Sequence, residues 1–441
     1  MRKERILAID CVDKIGESVF LEGFIQTVRS HGKIAFFDLR DRSATVQIVG
    51  IDEELVKMIS SLHSQDAIRI KGKVKKRDER YINKDVPAGN IEIEAVSVEV
   101  LSKAGEMPFD MGGKTLHLEL PTLLDYRSLV LRHPYISPIF KIQEALVKSF
   151  RETAENLDCV EIFVPTISAS STEGGAEVFK INYYDHSAFL TQSPQLCKQM
   201  MVPVFERVYT IAHAYRAEPS VTTRHLSENT QLDCEFGFVN FEDLLGLLEQ
   251  VAVGILKGVE EKCKDIFKQK NLEPIHFGSI PRLTLREAQE IIYKEFSRDV
   301  RGEKDLSPQD EIDISSWALQ NHESDLVTIH HFPTMKRAFY TMPDPKDPEY
   351  SLSYDVLFRG IEISSGSQRI HNYEDLYNAI KSRGLNPENF SMYLMAFKYG
   401  MPEEGGFSFG LERLTMKLLG LKNVREASLY PRDMERIDER L

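Results

Sequence analysis

The sequence predicts an α+β protein in two parts, a small five-stranded β-barrel followed by a larger domain with a mainly antiparallel sheet flanked by helices. Three observations predict it. The first hundred residues read as three strands, a helix and two strands. A Pro- and Gly-bearing stretch without periodicity follows, and beyond it strands and helices interleave without the βαβ rhythm of a parallel sheet.

Within 1–103, alternation of apolar and polar positions marks strands from Val19 to Val28, Lys33 to Leu39 and Thr45 to Val49. Asp52 to Leu62 carries Leu55, Met58, Ile59 and Leu62 at helical spacing, with Asp52 placed as the N-cap. Strands from Ala67 to Lys76 and Ile91 to Leu101 complete a β-β-β-α-β-β order, which matches the OB barrel, an oligonucleotide reader. Arg69, Lys71, Lys73, Lys75, Lys76, Arg77 and Arg80 crowd into one strand and its turn, and alternation puts the first four on one face. That stripe suits a nucleic-acid backbone and suits equally a solvated face that deters edge pairing. Phe36 and Phe37 are adjacent, so one of them points away from the barrel core, where stacking on a base contributes about 1–3 kcal/mol.

Residues 104–135 hold Pro108, Gly112, Gly113, Pro121 and Pro134 and read as a hinge. The larger domain, 136–441, opens with an amphipathic helix from Ile139 to Leu157 and a strand from Val160 to Pro165. Helices follow at Glu242 to Phe267 and Leu285 to Phe296, and strands at Leu326 to Phe332, Ala338 to Met342, Ser351 to Phe358 and Ile361 to Ser365. A glycine-bearing strand from Gly406 to Gly410 then enters a helix from Leu411 to Leu419.

With 441 residues, 42% of them hydrophobic, the chain can bury a large core in two or three domains. It has no apolar run of about 18 residues and no signal-peptide core at its start, so a cytoplasmic protein without a membrane span is expected. Five scattered cysteines argue against a disulfide framework or a zinc site. A net charge of −13 counts against a nucleic-acid partner for the chain as a whole, so any such contact depends on local charge.

The chemistry concentrates in four segments. Tyr215 to Asp233 packs cations, carboxylates and hydroxyls into two strands joined by a loop, and Arg216 and Arg224 can meet different phosphates of one triphosphate through their fixed donor forks. Each of these residues alone fits a solvated hairpin; the cluster points to a nucleotide. The loop from Ser171 to Glu177 offers glycines and Glu173, a partner for a substrate ammonium or simply part of a tight turn, and Lys198 sits close after it among amide and apolar residues. Asp355 and Glu362 stand seven apart across a turn at Gly360, a pair that suits magnesium and also suits two surface acids. Gly406 to Arg413 places an arginine in the first turn of a helix, without Walker A or G-x-G-x-x-G spacing.

Together these segments resemble the three signature motifs of class II aminoacyl-tRNA synthetases, and most closely those of the compact archaeal and eukaryotic aspartyl-tRNA synthetases. Cys159 to Pro165 is similar to motif 1, Tyr215 to Glu228 to motif 2, and Gly406 to Arg413 to motif 3. The resemblance runs nearly end to end. It implies a homodimer through motif 1 and Pro165, ATP and L-aspartate as substrates, Mg2+ as the metal, and tRNA-Asp as the acceptor. It also implies roles for particular residues. Arg216 grips the α-phosphate and the aspartate carboxylate and, with Arg413, carries catalysis. Glu218, Arg224, His225, Glu362 and Arg413 complete the ATP site, and Asp355, Glu362 and Ser365 match magnesium positions. Lys198 and Arg369 match the cations that hold the substrate side chain, with Glu173, Gln195, Asp233, Arg216 and Ser365 around the rest of it. In the barrel, Arg29, Phe36 and Gln47 match anticodon readers.

Two departures bear on the nucleotide: Ser408 replaces the usual middle glycine of motif 3, and Asn229 stands where many relatives place an aromatic. Gln26 occupies a position where relatives restricted to one tRNA can carry tryptophan, and the resemblance puts Pro87 in a loop that can touch the anticodon, so tRNA-Asn stays in view as a second acceptor. The interval from Cys234 to Ala338 is too short for the insertion domain of the long bacterial enzymes. Two other activities fit the same scaffold: an adenylate-forming amide ligase that needs no tRNA, for which loss of the barrel is expected, and an inactive tRNA-binding paralogue, for which broken phosphate or metal positions are expected.

Overall fold

A computed structural model describes residues 5–84, 86–169, 177–219 and 222–437. The chain divides into two compact units, Met1–His117 and Leu118–Leu441.

In the first unit β1 (Ser18–His31), β2 (Ile34–Arg40), β3 (Thr45–Gly50), β4 (Ala67–Lys76) and β5 (Ile91–Ser102) close a barrel in the order β1-β2-β3-β5-β4, with α1 (Glu53–Ser60) between β3 and β4. The Asp52 carboxylate caps α1 by accepting from the Glu54 and Leu55 N–H groups. Alternation drives the rest: Val19, Leu21, Ile25, Phe37, Leu39 and Ile48 fill the interior while their neighbours face out. Phe37 is fully buried, and Phe36 is the outward member of its pair. The β4 cations also face out, but carboxylates flank them. Arg69 lies 2.8 Å from Glu22 and 2.6 Å from Glu99, Lys75 pairs with Glu94, and Lys71 sits over the Phe20 ring. Two of the four stripe cations, Arg69 and Lys75, are therefore paired with carboxylates of neighbouring strands.

The second unit contains β6 (Val160–Glu161), β7 (Ile167–Ser168), β8 (Lys180–Tyr183), β9 (His186–Leu190), β10 (Arg207–Tyr215), β11 (Glu228–Gly237), β12 (Arg282–Thr284), β13 (Leu326–His330), β14 (Ser353–Phe358), β15 (Ile361–Gln368) and β16 (Glu404–Gly410). Its helices are α2 (Leu120–Asp125), α3 (Arg127–Val130), α4 (Pro138–Asn156), α5 (Gln195–Phe205), α6 (Phe241–Lys262), α7 (Lys264–Lys270), α8 (Leu285–Phe296), α9 (Pro308–His322), α10 (Tyr373–Ser382), α11 (Ser391–Lys398) and α12 (Leu411–Leu418). Eight strands form one sheet in the order β12-β13-β14-β15-β16-β11-β10-β6, antiparallel except at β12/β13 and β10/β6. Leu232, Phe236, Phe407 and Phe409 point from its central strands into a core shared with Phe150 of α4 and Leu248 and Ile255 of α6. The opposite face carries polar side chains.

Three expected elements differ. The strand from Val160 to Pro165 shortens to Val160–Glu161; Ile162 N–H still reaches the Tyr209 carbonyl at 2.9 Å, but Pro165 has no N–H to continue the ladder. Ala338 to Met342 is not a strand. Thr341 bridges Arg369 alone, and Phe339 and Tyr340 pack into an apolar cluster with α10 and α11. The helix expected from Glu242 to Phe267 breaks at Cys263 into α6 and α7. The five cysteines are free thiols, four of them buried, and no described helix is long and apolar enough to cross a membrane.

Candidate active site

Strand register assembles the site. Asp355, Ser365, Ser408, Asp233 and Thr210 are successive cross-strand partners on β14, β15, β16, β11 and β10, one row across five strands. Ser367, Gly406 and Glu235 make the next row. A bulge between β14 and β15, where Val356 faces Ser364 but Leu357 faces Glu362, turns Glu362 onto the same face as Asp355 and Ser365. Arg359 and Gly360, with φ of 47° and 82°, close this hairpin.

At one end of the face lies a cavity of about 260 Å³ lined by Arg216, Glu218, Arg224, His225, Glu362 and Arg413. Arg216 leaves the end of β10, its N–H held by the Ser227 carbonyl at 2.9 Å, and its guanidinium stands 4.0 Å from Glu218. Arg413, in the first turn of α12, donates to the Glu362 carbonyl at 3.1 Å and the Arg224 carbonyl at 3.3 Å. Its guanidinium is 3.6 Å from the Glu362 carboxylate. Arg224 pairs with Glu311 of α9 and reaches the Gly360 carbonyl. Burial pushes Glu311 up to about 7 against the pull of Arg224. Burial and then Arg413 lower His225, whose Nδ1 is 2.7 Å from the Thr222 hydroxyl. Asn229 and Ser408 also line this cavity.

Asp355 and Ser365 come together as expected, and both engage Arg337. Its guanidinium forks onto the two Asp355 oxygens at 3.0 and 2.6 Å and donates to Ser365 Oγ at 3.0 Å. Burial and the Asp355 charge raise Glu362. Among the described residues no three His, Cys, Asp or Glu side chains form a metal-holding group. The positions expected for magnesium thus offer two carboxylates and a hydroxyl, with Arg337 engaging Asp355 and Ser365. An all-oxygen donor set is chemically suited to Mg2+, which would take the place of the Arg337 guanidinium.

Deeper under the sheet face, Lys198 of α5 and Arg369 just after β15 converge. The Lys198 ammonium lies 2.8 Å from Asp233 and 3.0 Å from Glu235; Arg369 Nε lies 2.7 Å from the other Glu235 oxygen. Arg369 also donates to Gln195 at 3.1 Å, Ser367 at 2.7 Å and the Gly406 carbonyl at 2.9 Å. All four charged side chains are at most 4% exposed. Burial opposes the Lys198 cation, but Asp233 and Glu235 outweigh it and raise its pKa; burial likewise opposes the Glu235 anion, and Arg369 and Lys198 hold it low. The Ser408 hydroxyl donates to Asp233 Oδ2 at 3.0 Å, so this side chain ties the arginine-lined cavity to the buried cluster. Glu173 lies outside the described residues.

Sequence reasoning missed Glu235, Glu311 and Arg337. For Glu235 a signal existed: it stands two residues from Asp233 on a strand, hence on the same face.

On the barrel, Arg29 and Phe36 are cross-strand partners, as are Asp38 and Gln47. Arg29 pairs with Asp38 at 3.1 Å, and Arg77 donates to Gln47 Oε1 at 2.9 Å.

A nucleic-acid-type barrel in one chain with an arginine-lined cavity above a buried cation pair defines a nucleotide-using enzyme that reads nucleic acid. The chain belongs to the class II tRNA synthetases (D, K and N), whose family model matches residues 119–434, and an OB-fold nucleic acid binding domain matches residues 19–101. It is 40% identical over 438 residues to the aspartate–tRNA(Asp/Asn) ligase of Thermus thermophilus, covering 98% of this chain and 99% of that protein. It is 36% identical to the aspartate–tRNA(Asp) ligase of Pyrococcus abyssi, covering 96% of each. Among solved structures it resembles asparaginyl-tRNA synthetase from Pyrococcus horikoshii complexed with asparaginyl-adenylate, with a TM-score of 0.88 at 29% identity over 99% of both chains. It also resembles aspartyl tRNA synthetase from Entamoeba histolytica, with a TM-score of 0.87 at 28% identity over 99% of this chain and 93% of that one.

Proposed function

We propose that this chain activates L-aspartate with ATP and transfers it to the 3′ end of tRNA-Asp and of tRNA-Asn. The observation that carries the amino-acid assignment is the convergence of Lys198 and Arg369 on one buried carboxylate. Two cations fixed beneath the nucleotide cavity suit a substrate whose side chain is an anion. An amide in its place loses the charge and turns donors towards donors, a mismatch that polar pockets reject strongly.

The substrate α-carboxylate is itself the nucleophile, so activation needs no general base. It attacks the α-phosphorus, pyrophosphate leaves, and the adenylate then gives its acyl group to a tRNA ribose hydroxyl with loss of AMP. Arg216 steadies the α-phosphate and the attacking carboxylate, Arg413 and Arg224 take the outer phosphates, and Glu218 and His225 border the base. For Arg224 this requires exchanging Glu311 for phosphate. Catalysis is then positioning plus stabilisation of charge on the transferring group. Asp355, Glu362 and Ser365 would hold Mg2+, which supplies neutralising charge to the phosphates. Gln195 and Asp233, with Glu173, surround the ammonium.

In the barrel, Phe36 stacks on an anticodon base, with Arg29 and Gln47 beside it. Two acceptors are supported by Gln26 and by the relatives named for tRNA(Asp/Asn). A homodimer through motif 1 is supported by the position of β6 at the sheet edge and by Phe163, which is 88% exposed there. Such an enzyme works in the cytoplasm.

The test is ATP–pyrophosphate exchange with L-aspartate and L-asparagine, followed by charging of purified tRNA-Asp and tRNA-Asn. Exchange with aspartate alone, lost in Arg369→Ala, and charging of both tRNAs are expected. Exchange driven by asparagine or indifferent to Arg369→Ala sinks the amino-acid assignment, and exchange without charging of either tRNA favours an amide ligase.

A further inference from the structure

Glu404, the first residue of β16, is fully buried. Its Oε1 accepts from Gln199 Nε2 at 2.6 Å, and Gln199 Oε1 accepts from the Tyr393 hydroxyl at 3.1 Å. Its Oε2 is buried without any N–H or O–H donor among the described residues. Its diagonal neighbour on the same face of the β16–β11 pair is Glu235, itself a carboxylate that interacts with it. Two neighbouring buried carboxyl groups, one with an oxygen that has no donor, are stabilised by a proton between them.

Charge decides where that proton sits. Around Glu404 stand Gln199 from α5, Glu235 from β11, Arg369 after β15 and Tyr393 from α11, and Lys198 of α5 faces Glu235. Lys198 and Arg369 already face Asp233 and Glu235 and are also assigned to the substrate carboxylate, so an ionised Glu404 would compete with the substrate for the same two cations. Burial and Glu235 push Glu404 well above the usual carboxylate range, whereas the two cations hold Glu235 below it.

We infer that Glu404 is a positioning residue for amino-acid selection: as a neutral acid it donates a hydrogen bond to Glu235, fixing that carboxylate between Lys198 and Arg369 and keeping a surplus negative charge out of the aspartate side-chain pocket. The same device, a carboxylic acid kept neutral so that it can donate, operates elsewhere in enzyme sites. This inference rests on the assignment of aspartate to the Lys198–Arg369 pair. Its consequence is directional. As pH rises through the titration of Glu404, the pocket gains an anion and repels the substrate side chain.

The experiment is KM for L-aspartate in pyrophosphate exchange, from neutral to alkaline pH, for the wild type, Glu404→Ala and Glu404→Gln, with KM for ATP alongside. In the wild type KM for aspartate climbs about tenfold per pH unit once Glu404 ionises, the slope of one proton, while KM for ATP stays level. Glu404→Ala raises KM for aspartate about tenfold at neutral pH. Glu404→Gln, whose amide accepts from Gln199 and donates to Glu235, rescues that loss and abolishes the alkaline climb. An identical climb in wild type and Glu404→Gln, or no rescue by glutamine, overturns the inference. A substrate-free readout separates it from the assignment it rests on: the unliganded wild type shows an infrared band of a protonated carboxyl that Glu404→Gln removes. That band present, in a protein without aspartate-dependent exchange, discards the substrate and keeps the proton on Glu404; a band unchanged by Glu404→Gln overturns the inference.

Discussion

Lys198 and Arg369 hold opposite oxygens of the same side chain: the ammonium is 3.0 Å from Glu235 Oε2 and the guanidinium Nε is 2.7 Å from Glu235 Oε1. The two cations are 171 positions apart in sequence, by 369 minus 198, and the carboxylate between them comes from a third segment. Their mutual placement is thus a property of the sheet.

Replacing that shared anion leaves two buried cations with only Asp233. Glu235→Gln is expected to lower stability by about 3–5 kcal/mol, the usual cost of breaking a buried pair from one side. Urea unfolding of the isolated protein measures it, and a loss below about 1 kcal/mol would mean that water reaches the cluster.

Glu311 makes stability fall with pH. The folded protein holds its proton up to about 7, whereas an unfolded glutamate releases it near its ordinary value of 4.5. Between those values the native state binds more protons, so the contribution is present below the lower value and is lost as pH rises to the upper one. Relative to Glu311→Gln, the wild type should lose about 3 kcal/mol across that window. Paired urea titrations at several pH values read it, and parallel curves for the two proteins would refute it.

A side chain at Gly406 has nowhere to go, since a Cβ there would strike the Cys234 carbonyl and the Glu235 carboxylate. Gly406→Ala should cost about 1–3 kcal/mol or more through overpacking and should abolish aspartate activation before it abolishes folding. Circular dichroism with exchange assays distinguishes the two losses.

Phe36→Ala should weaken tRNA binding by about 1–3 kcal/mol, the worth of one stacked base. Pyrophosphate exchange should stay at the wild-type rate, because that reaction uses no tRNA. A drop in exchange would place Phe36 outside the anticodon role.

The barrel could be read in the sequence almost residue by residue, because a half-buried strand writes its inward and outward positions as a two-residue alternation, as β4 does with Ile68, Ile70 and Val74 against Arg69, Lys71, Lys73 and Lys75. The site was less transparent. Arg216, Arg413 and Lys198 are visible as cations within polar or glycine-bearing segments and Arg369 only through the family resemblance, while Glu404 carries no local sign of burial and Glu235 only its shared face with Asp233. Arg337 falls where a strand was expected next, and its role depends on a contact with Asp355 that only the tertiary fold creates. Buried Asp310, Glu311 and Asp313 blurred the apolar face of α9 and hid that helix.

Glu404, Gly406, Ser408 and Gly410 occupy alternate positions of one strand whose continuation, α12, carries Arg413. Sliding β16 by a single residue would swap these positions with Phe407 and Phe409, emptying the hydrophobic interior and the polar cluster in one motion. The distance separating the buried Lys198–Arg369 cluster from the arginine-lined cavity is therefore set by peptide spacing along a single rigid ruler, and either end can be retuned by substitution but not by inserting or deleting a residue between them.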